Sequence, residues 1–145
     1  MIRALDLTDV PRMAAIHRQS FLQGWSQADL QTHIQKDINF GLGRPLQGFI
    51  IVRTAVDQAE ILTLAIDPPA RRTGIARALL DITETELTDN GIDVLFLEVA
   101  EDNTAAIALY RQMGFENFAR RPAYYRRTTG RVAALNFRKN LAANP

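Results

Sequence analysis

The chain has 145 residues, of which 47% are hydrophobic and 23% charged; its formal net charge is +1 and it has no cysteine. That balance is the one expected of a globular domain, and the lack of cysteine excludes disulfides, thiolate metal sites and a cysteine nucleophile. No apolar run approaches the ~18 residues of a membrane span, and Met1-Ile-Arg-Ala-Leu-Asp6 lacks the apolar core of a signal peptide. The expectation is one domain over residues 1–145, no membrane partner and a cytoplasmic location.

In chain order, Met1 to Leu5 reads as a short strand. Thr8 is expected to cap a helix from Asp9 to about Phe21, with Val10, Met13, Ile16 and His17 on one side. Ser26-x-x-Asp29 resembles a capping box that opens a second helix to about Gln35. Asn39 to Gly43 is a predicted strand. Gly48–Ala55 and Glu60–Ile66 are two more, joined through Val56-Asp-Gln58 in a hairpin. A long helix follows from about Gly74, stopped at Asn90-Gly91. Val94-Leu-Phe-Leu-Glu-Val99 is nearly continuous in apolar residues, as expected of a strand covered on both faces. Asn103 is placed to cap a short helix, Thr104 to Met113. The remainder reads as two strands, Glu116–Arg121 and Val132–Asn140, around a loop Pro122–Arg131. The order β-α-α-β-β-β-α-β-α-β-β predicts an α/β fold with a central mixed sheet and a right-handed crossover in its middle.

The chemistry concentrates at Asp67-Pro-Pro-Ala-Arg-Arg-Thr-Gly-Ile-Ala76, where a strand hands over to the long helix. Backbone N–H groups and the positive end of a helix dipole converge at such a place and suit an anion. Gly74 and Ala76 carry little or no side chain, so a phosphate can approach the backbone. Arg71 and Arg72 add fork-shaped donors. Nucleotide fingerprints are excluded. There is no GxxxxGK[ST], and Gly41-Leu-Gly43 runs into Arg44-Pro45 with no third glycine and no helix. His17 and His33 fall on different helices, and no His and carboxylate cluster has metal spacing, so no metal is expected. Ser20 and Ser26 lack a nucleophile-elbow context.

Charge is unevenly distributed. Residues 1–110 carry a balance of −6 and residues 111–145 one of +7, the latter almost entirely arginine. This is either a solvated basic hairpin or a contact for an anionic ligand. Without interleaved aromatic and basic residues in a stacking motif, nucleic acid is not the expected partner.

Arg71, Gly74 and Ala76 match the pattern [QR]-x-x-G-x-[GA]. Behind them come Leu97-Glu-Val99, Asn103, Ala108-Leu-Tyr110 and Gly114-Phe115. In this combination the chain resembles the GNAT family of acyl-CoA-dependent N-acyltransferases over nearly its whole length. Within the family it is most similar to RimI-type ribosomal-protein-alanine N-acetyltransferases, through Gly24-Trp-Ser26, Glu60-Ile-Leu-Thr-Leu-Ala-Ile-Asp67 and Arg120-Arg-Pro-Ala-Tyr-Tyr125. Two departures stand out. Gly24 replaces the proline usual before the tryptophan, and Val132-Ala-Ala-Leu135 lacks the usual acidic residue.

The resemblance implies a GNAT fold and acetyl-CoA as co-substrate. It places the CoA diphosphate on Arg71, Arg72, Thr73, Gly74, Ile75 and Ala76. The backbone of Leu64, Ala65 and Ile66 would receive the pantetheine arm and polarise the thioester carbonyl. Glu98 takes the role of general base. On its residue type alone, it is an acid in an apolar strand, costly unless it faces a polar cleft. Tyr110 is a core aromatic by periodicity, and the resemblance makes it the proton donor to the departing thiolate. Asn103 can cap its helix or bond the pantetheine. Trp25 is either an apolar plug or one wall of the acceptor site, and Tyr124 and Tyr125 form the opposite wall. The acceptor implied is a protein N-terminus, such as that of a ribosomal protein. A small amine, a lysine side chain and a non-catalytic acyl-CoA-binding module are the alternatives.

Overall fold

The computed structural model describes residues 1–21 and 24–142. Seven strands and four helices follow in the predicted order. They are β1 (Ile2–Arg3), α1 (Val10–Ser20), α2 (Gln27–Lys36), β2 (Ile38–Leu42), β3 (Gly48–Ala55), β4 (Gln58–Ile66), α3 (Ile75–Asp89), β5 (Val94–Ala100), α4 (Thr104–Gln112), β6 (Glu116–Arg127) and β7 (Gly130–Asn140). One sheet in the order β1-β2-β3-β4-β5-β7-β6 contains all the strands. Among the described residues only β4 and β5 run parallel, joined through α3 as the crossover requires.

Alternation along the strands sends residues to two faces. On one, Ile50, Val52, Leu95, Leu97, Val99, Leu135 and Phe137 pack under α3 and α4 with Leu79, Leu80, Tyr110 and Met113. On the other, Phe49, Ile51 and Ala65 meet Val10, Met13, Ile16 and Leu30 of α1 and α2. The side of α1 carrying Val10, Met13, Ile16 and His17 is the face that buries, whereas α3 buries Ile75, Leu79, Leu80, Thr83 and Leu87 and leaves Ile82 exposed.

Two local expectations are corrected. Thr8 does not cap α1. Asp6 caps a short 3-10 turn, Leu7–Asp9, and Asp9 answers by accepting from the Asp6 N–H at 3.0 Å. This reciprocal box starts the turn earlier, and α1 then opens at Val10 with Pro11 in its first turn. The loop expected at Pro122–Arg131 is mostly strand. β6 runs on to Arg127 and turns only at Thr128-Thr129. Pro122 is tolerated because β6 is the sheet edge and the register slips between Arg121 and Tyr125, with Ala123 at φ +51°.

The basic C-terminal segment is partly neutralised by the acidic part of the chain. Arg120 meets Glu101 at 2.7 Å, Arg127 meets Asp102 at 2.9 Å and Lys139 meets Glu84 at 2.6 Å. The two arginine pairs are solvent-exposed and contribute little to stability, on the order of 0–1 kcal/mol each.

Candidate active site

The parallel pair β4–β5 is short. Its register runs only from Gln58↔Val94 to Ile61↔Leu97. Beyond that point β4 continues to Ile66 bonded to β3 alone, with Leu64 opposite Ile50 and Ala65 opposite Phe49. β5 continues to Ala100 bonded to β7. The sheet therefore opens in its middle, and the edge of β4 that carries Leu64, Ala65 and Ile66 has no strand partner there. Thr63, at the start of this unpaired half, is buried with no hydrogen-bond partner for its Oγ1.

Glu98 lies one residue past the last pair of β4 with β5, and Tyr110 sits on the opposite face of the sheet. Glu98 pairs with Asn136 across β7, on the face away from α3 and α4. Tyr110 packs with Leu97, Val99 and Phe137 on the other. Its ring lies edge-on to Phe115, with centroids 5.7 Å apart. The residue is 7% exposed, and burial pushes its phenol up to about 12. Among the described residues the Tyr110 hydroxyl has no hydrogen-bond partner.

Tyr125 donates from its hydroxyl to Glu98 Oε1 at 3.2 Å. Burial and the neighbouring Glu98 charge push the Tyr125 phenol well above its ordinary value. Tyr124 meets the Tyr125 ring edge-on, with centroids 5.1 Å apart, but stays 43% exposed, with the Arg121 guanidinium 4.4 Å from its ring centroid. Of the two tyrosines expected in one wall, the structure brings only Tyr125 to Glu98. Tyr125→Phe is expected to lower kcat/KM for the acceptor by about 3- to 10-fold, the size of one net hydrogen bond. The acetyl-CoA KM should not change, which initial-rate measurements at varied acetyl-CoA will check.

The turn between β4 and α3 is built for an anion. Arg72 and Gly74 have φ of +63° and +86°. The first helical bond is from Ala78 N to Gly74 O. Among the described residues, no N–H from Arg72 to Arg77 has a partner. These six donors lie at the positive end of α3. A Cβ on Gly74 would meet nothing within 4 Å, so the space before them is open. Arg71, itself exposed, is held by neighbouring groups instead. Its Nε donates to Ile66 O at 3.2 Å and its Nη2 to Ser20 Oγ at 3.3 Å. Asn103 caps α4 by accepting from Ala106 N at 3.2 Å through Oδ1, leaving its Nδ2 available.

Trp25 lies between α1 and α2, half-buried and stacked between His17 and His33. From the open edge of β4, the chain passes through the donor-rich turn and α3 to Glu98 on β5, so one strand–turn–helix–strand unit carries both features. The model of the acetyltransferase (GNAT) family matches residues 10–115.

The chain belongs to the GNAT acetyltransferase family. It is an acetyl-CoA-dependent acetyltransferase, with the mixed sheet of that fold. The [ribosomal protein bS18]-alanine N-acetyltransferase of Escherichia coli K12 is 34% identical to it, over 92% of this chain and 93% of that one. A crystal structure of the ribosomal-protein-S18-alanine N-acetyltransferase from Escherichia coli superposes with a TM-score of 0.92 at 31% identity, covering 100% of this chain and 96% of the other. Ard1 from Thermoplasma volcanium superposes at 0.84 with 26% identity, covering 97% and 96%.

Two features of this GNAT site escape sequence reasoning. One is the set of groups around Trp25. His17 is visible as part of the buried face of α1, but its partner, the N–H of a loop residue eight positions on, has no periodic signal. The other is the Tyr125 bond to Glu98, hidden because Pro122 reads as the end of β6.

Proposed function

We propose that this chain acetylates the α-amine of a protein N-terminus. The reading is carried by the 34% identity to the bS18-alanine N-acetyltransferase, which extends over 92% of the chain and so includes the segments around Trp25 and Tyr125. Acetyl-CoA supplies an activated acetyl thioester. The N–H groups of Arg72, Thr73, Gly74, Ile75 and Ala76 would hold its diphosphate, with Arg71 bracing the end of β4. The edge of β4 at Leu64, Ala65 and Ile66 that no strand covers and the Nδ2 of Asn103 would receive the pantetheine arm.

In this scheme Glu98 accepts the proton of the attacking amine, directly or through water. An α-amine titrates near ~8 and a lysine near ~10.4, so the α-amine makes the smaller demand on that base. Nitrogen attacks the acyl carbon, the carbon–sulfur bond breaks, and no residue of the chain becomes acylated. Tyr110 assists departure from the opposite face. With its phenol at about 12 and a thiol near ~8.5, complete proton transfer is uphill by about 5 kcal/mol. Its part is therefore to donate a hydrogen bond that stabilises the thiolate. Tyr110→Phe keeps the ring packing and should slow turnover by about 10- to 100-fold, the range for a hydrogen bond to a charged group. Thermal melting should be little changed, and full activity would return Tyr110 to the core.

The deciding experiment is an acceptor screen with acetyl-CoA, comparing free and N-blocked peptides with small amines. Acetylation of a free N-terminal alanine, absent from the blocked peptide, is expected. Turnover on a small amine or a blocked lysine peptide would replace the reading. One observation favours that second reading. Val132-Ala-Ala-Leu135 carries no acid and Arg121 and Arg127 flank the tyrosines, which suits a basic peptide poorly. The proposed location is the cytoplasm, and among the described residues no helix is long and apolar enough to cross a membrane.

A further inference from the structure

Trp25 is the single tryptophan of the chain, and its place is held by groups that the transfer itself does not use. Its indole lies between two imidazoles, with His17 of α1 at 4.8 Å and His33 of α2 at 4.6 Å between ring centroids. The Trp25 backbone N–H donates to His17 Nδ1 at 3.0 Å. That bond requires an unprotonated Nδ1, hence the neutral tautomer with its hydrogen on Nε2. Burial maintains it, since His17 is 2% exposed and its imidazole is pushed down to about 4. On the outer side His33 is fixed in turn, its Nδ1 lying 2.7 Å from Asp37 Oδ2.

The backbone at Gly24 makes the bond to His17 reachable. A Cβ there would stand 2.8 Å from Arg18 Cγ and 3.0 Å from Arg18 Cα. The second of these is helix backbone and yields little. A residue with a side chain at position 24 would lift the loop from α1 and draw the Trp25 N–H away from His17. The glycine that departs from the usual proline and the histidine beneath the loop are two halves of one anchor.

We propose that His17 is a positioning residue which, through the close approach that Gly24 allows, fixes Trp25 as a wall of the acceptor site and so sets how tightly the acceptor is held. The inference rests on the reading of Trp25 as an acceptor wall.

The test combines initial-rate kinetics, using acetyl-CoA and a short peptide with a free N-terminal alanine, with the fluorescence of Trp25. His17→Leu is expected to raise the peptide KM about tenfold, the size of one lost hydrogen bond, and to leave the acetyl-CoA KM unchanged. Its emission should shift to the red and become easier to quench with acrylamide. His17→Asn, whose Oδ1 can accept where Nδ1 did, should recover most of both. Gly24→Ala should behave as His17→Leu does without touching the core, which keeps the test valid if the leucine variant fails to fold. Wild-type peptide KM and emission in both His17→Leu and Gly24→Ala, with a raised KM in Trp25→Ala, would overturn the anchor and spare the wall. An unchanged peptide KM in Trp25→Ala would overturn the wall, and the anchor's role with it. Should the peptide prove not to be the acceptor, unaltered emission in the same variants still overturns the anchor.

Discussion

Glu98→Gln is expected to lower turnover by about a hundredfold or more, within the usual contribution of a positioned general base. The substitution is nearly isosteric. Its amide oxygen can still accept from Tyr125, which now donates to Glu98 Oε1 at 3.2 Å. Asn136 remains opposite on β7, and the apolar residues of β5 under α3 and α4 are untouched. Thermal melting and acetyl-CoA affinity should therefore match the parent, so a fall in rate reports chemistry. The pH dependence carries more. An amine near ~8 arrives increasingly unprotonated as pH rises past that value. The deficit of the variant should then narrow above pH 8 if the acceptor is an N-terminal amine. With a lysine acceptor near ~10.4 it should persist to much higher pH. Undiminished turnover at pH 7 would remove Glu98 from the base role.

How far the fold is legible follows from which signals are local. The Ser26 and Asp29 box, the stop at Gly91 with φ +77° and the Asn103 cap are short-range hydrogen-bond or backbone requirements, and each stands where the residues place it. The apolar run of β5 misleads in one respect: Leu95, Leu97 and Val99 are buried under the helices, but Val94, Phe96 and Glu98 on the other face stay half-buried, so the strand is fully covered on one face only. The true entry to α1 differs from the expected one for an equally local reason. Asp6 and Asp9 form a box as good as any threonine, and a carboxylate at a helix entry also gains from the dipole. Arg3 adds to it by holding Asp9 through two bonds of 2.9 Å. The extent of β6 is not local. Proline reads as a strand breaker until the strand is known to lie at a sheet edge, and edge position is a property of the whole topology.

The candidate site divides in the same way. The turn from Arg71 to Ala76 is readable because a glycine, a helix start and a preceding strand occupy adjacent positions. The opening between β4 and β5 is not, since it is the absence of pairing between strands that both have strand-forming sequences. The placing of Glu98 and Tyr110 on opposite faces follows from strand alternation once α4 is known to cover one side. The sandwich of Trp25 needs two helices and a loop to converge. No period in any one of them encodes it, and only the burial of His17 on the α1 stripe leaves a trace.

Gly74→Glu is expected to weaken acetyl-CoA binding by roughly three orders of magnitude while leaving a folded protein. Two effects act at the position and can be separated. Gly74 has φ +86°, so any side chain there is strained by about 1–2 kcal/mol. That cost falls on stability. The space before Gly74 is open, with nothing within 4 Å of where a Cβ would stand, so no clash is added. Affinity is lost through charge. A carboxylate at that place lies before the six N–H groups from Arg72 to Arg77 and offers them an internal anion. Two unit charges 4 Å apart at a protein surface repel by about 4 kcal/mol, close to a thousandfold. Gly74→Ala carries the strain without the charge and should lower the melting temperature about as much as the glutamate, with a far smaller loss of affinity. Calorimetric titration of acetyl-CoA into both variants distinguishes the two effects. Because the repulsion is electrostatic, added salt should restore part of the affinity of Gly74→Glu and none of that lost in Gly74→Ala. Tight binding by the glutamate variant at low salt would place the diphosphate away from the start of α3, and the thioester would then not enter the opening past the last pair of β4 with β5.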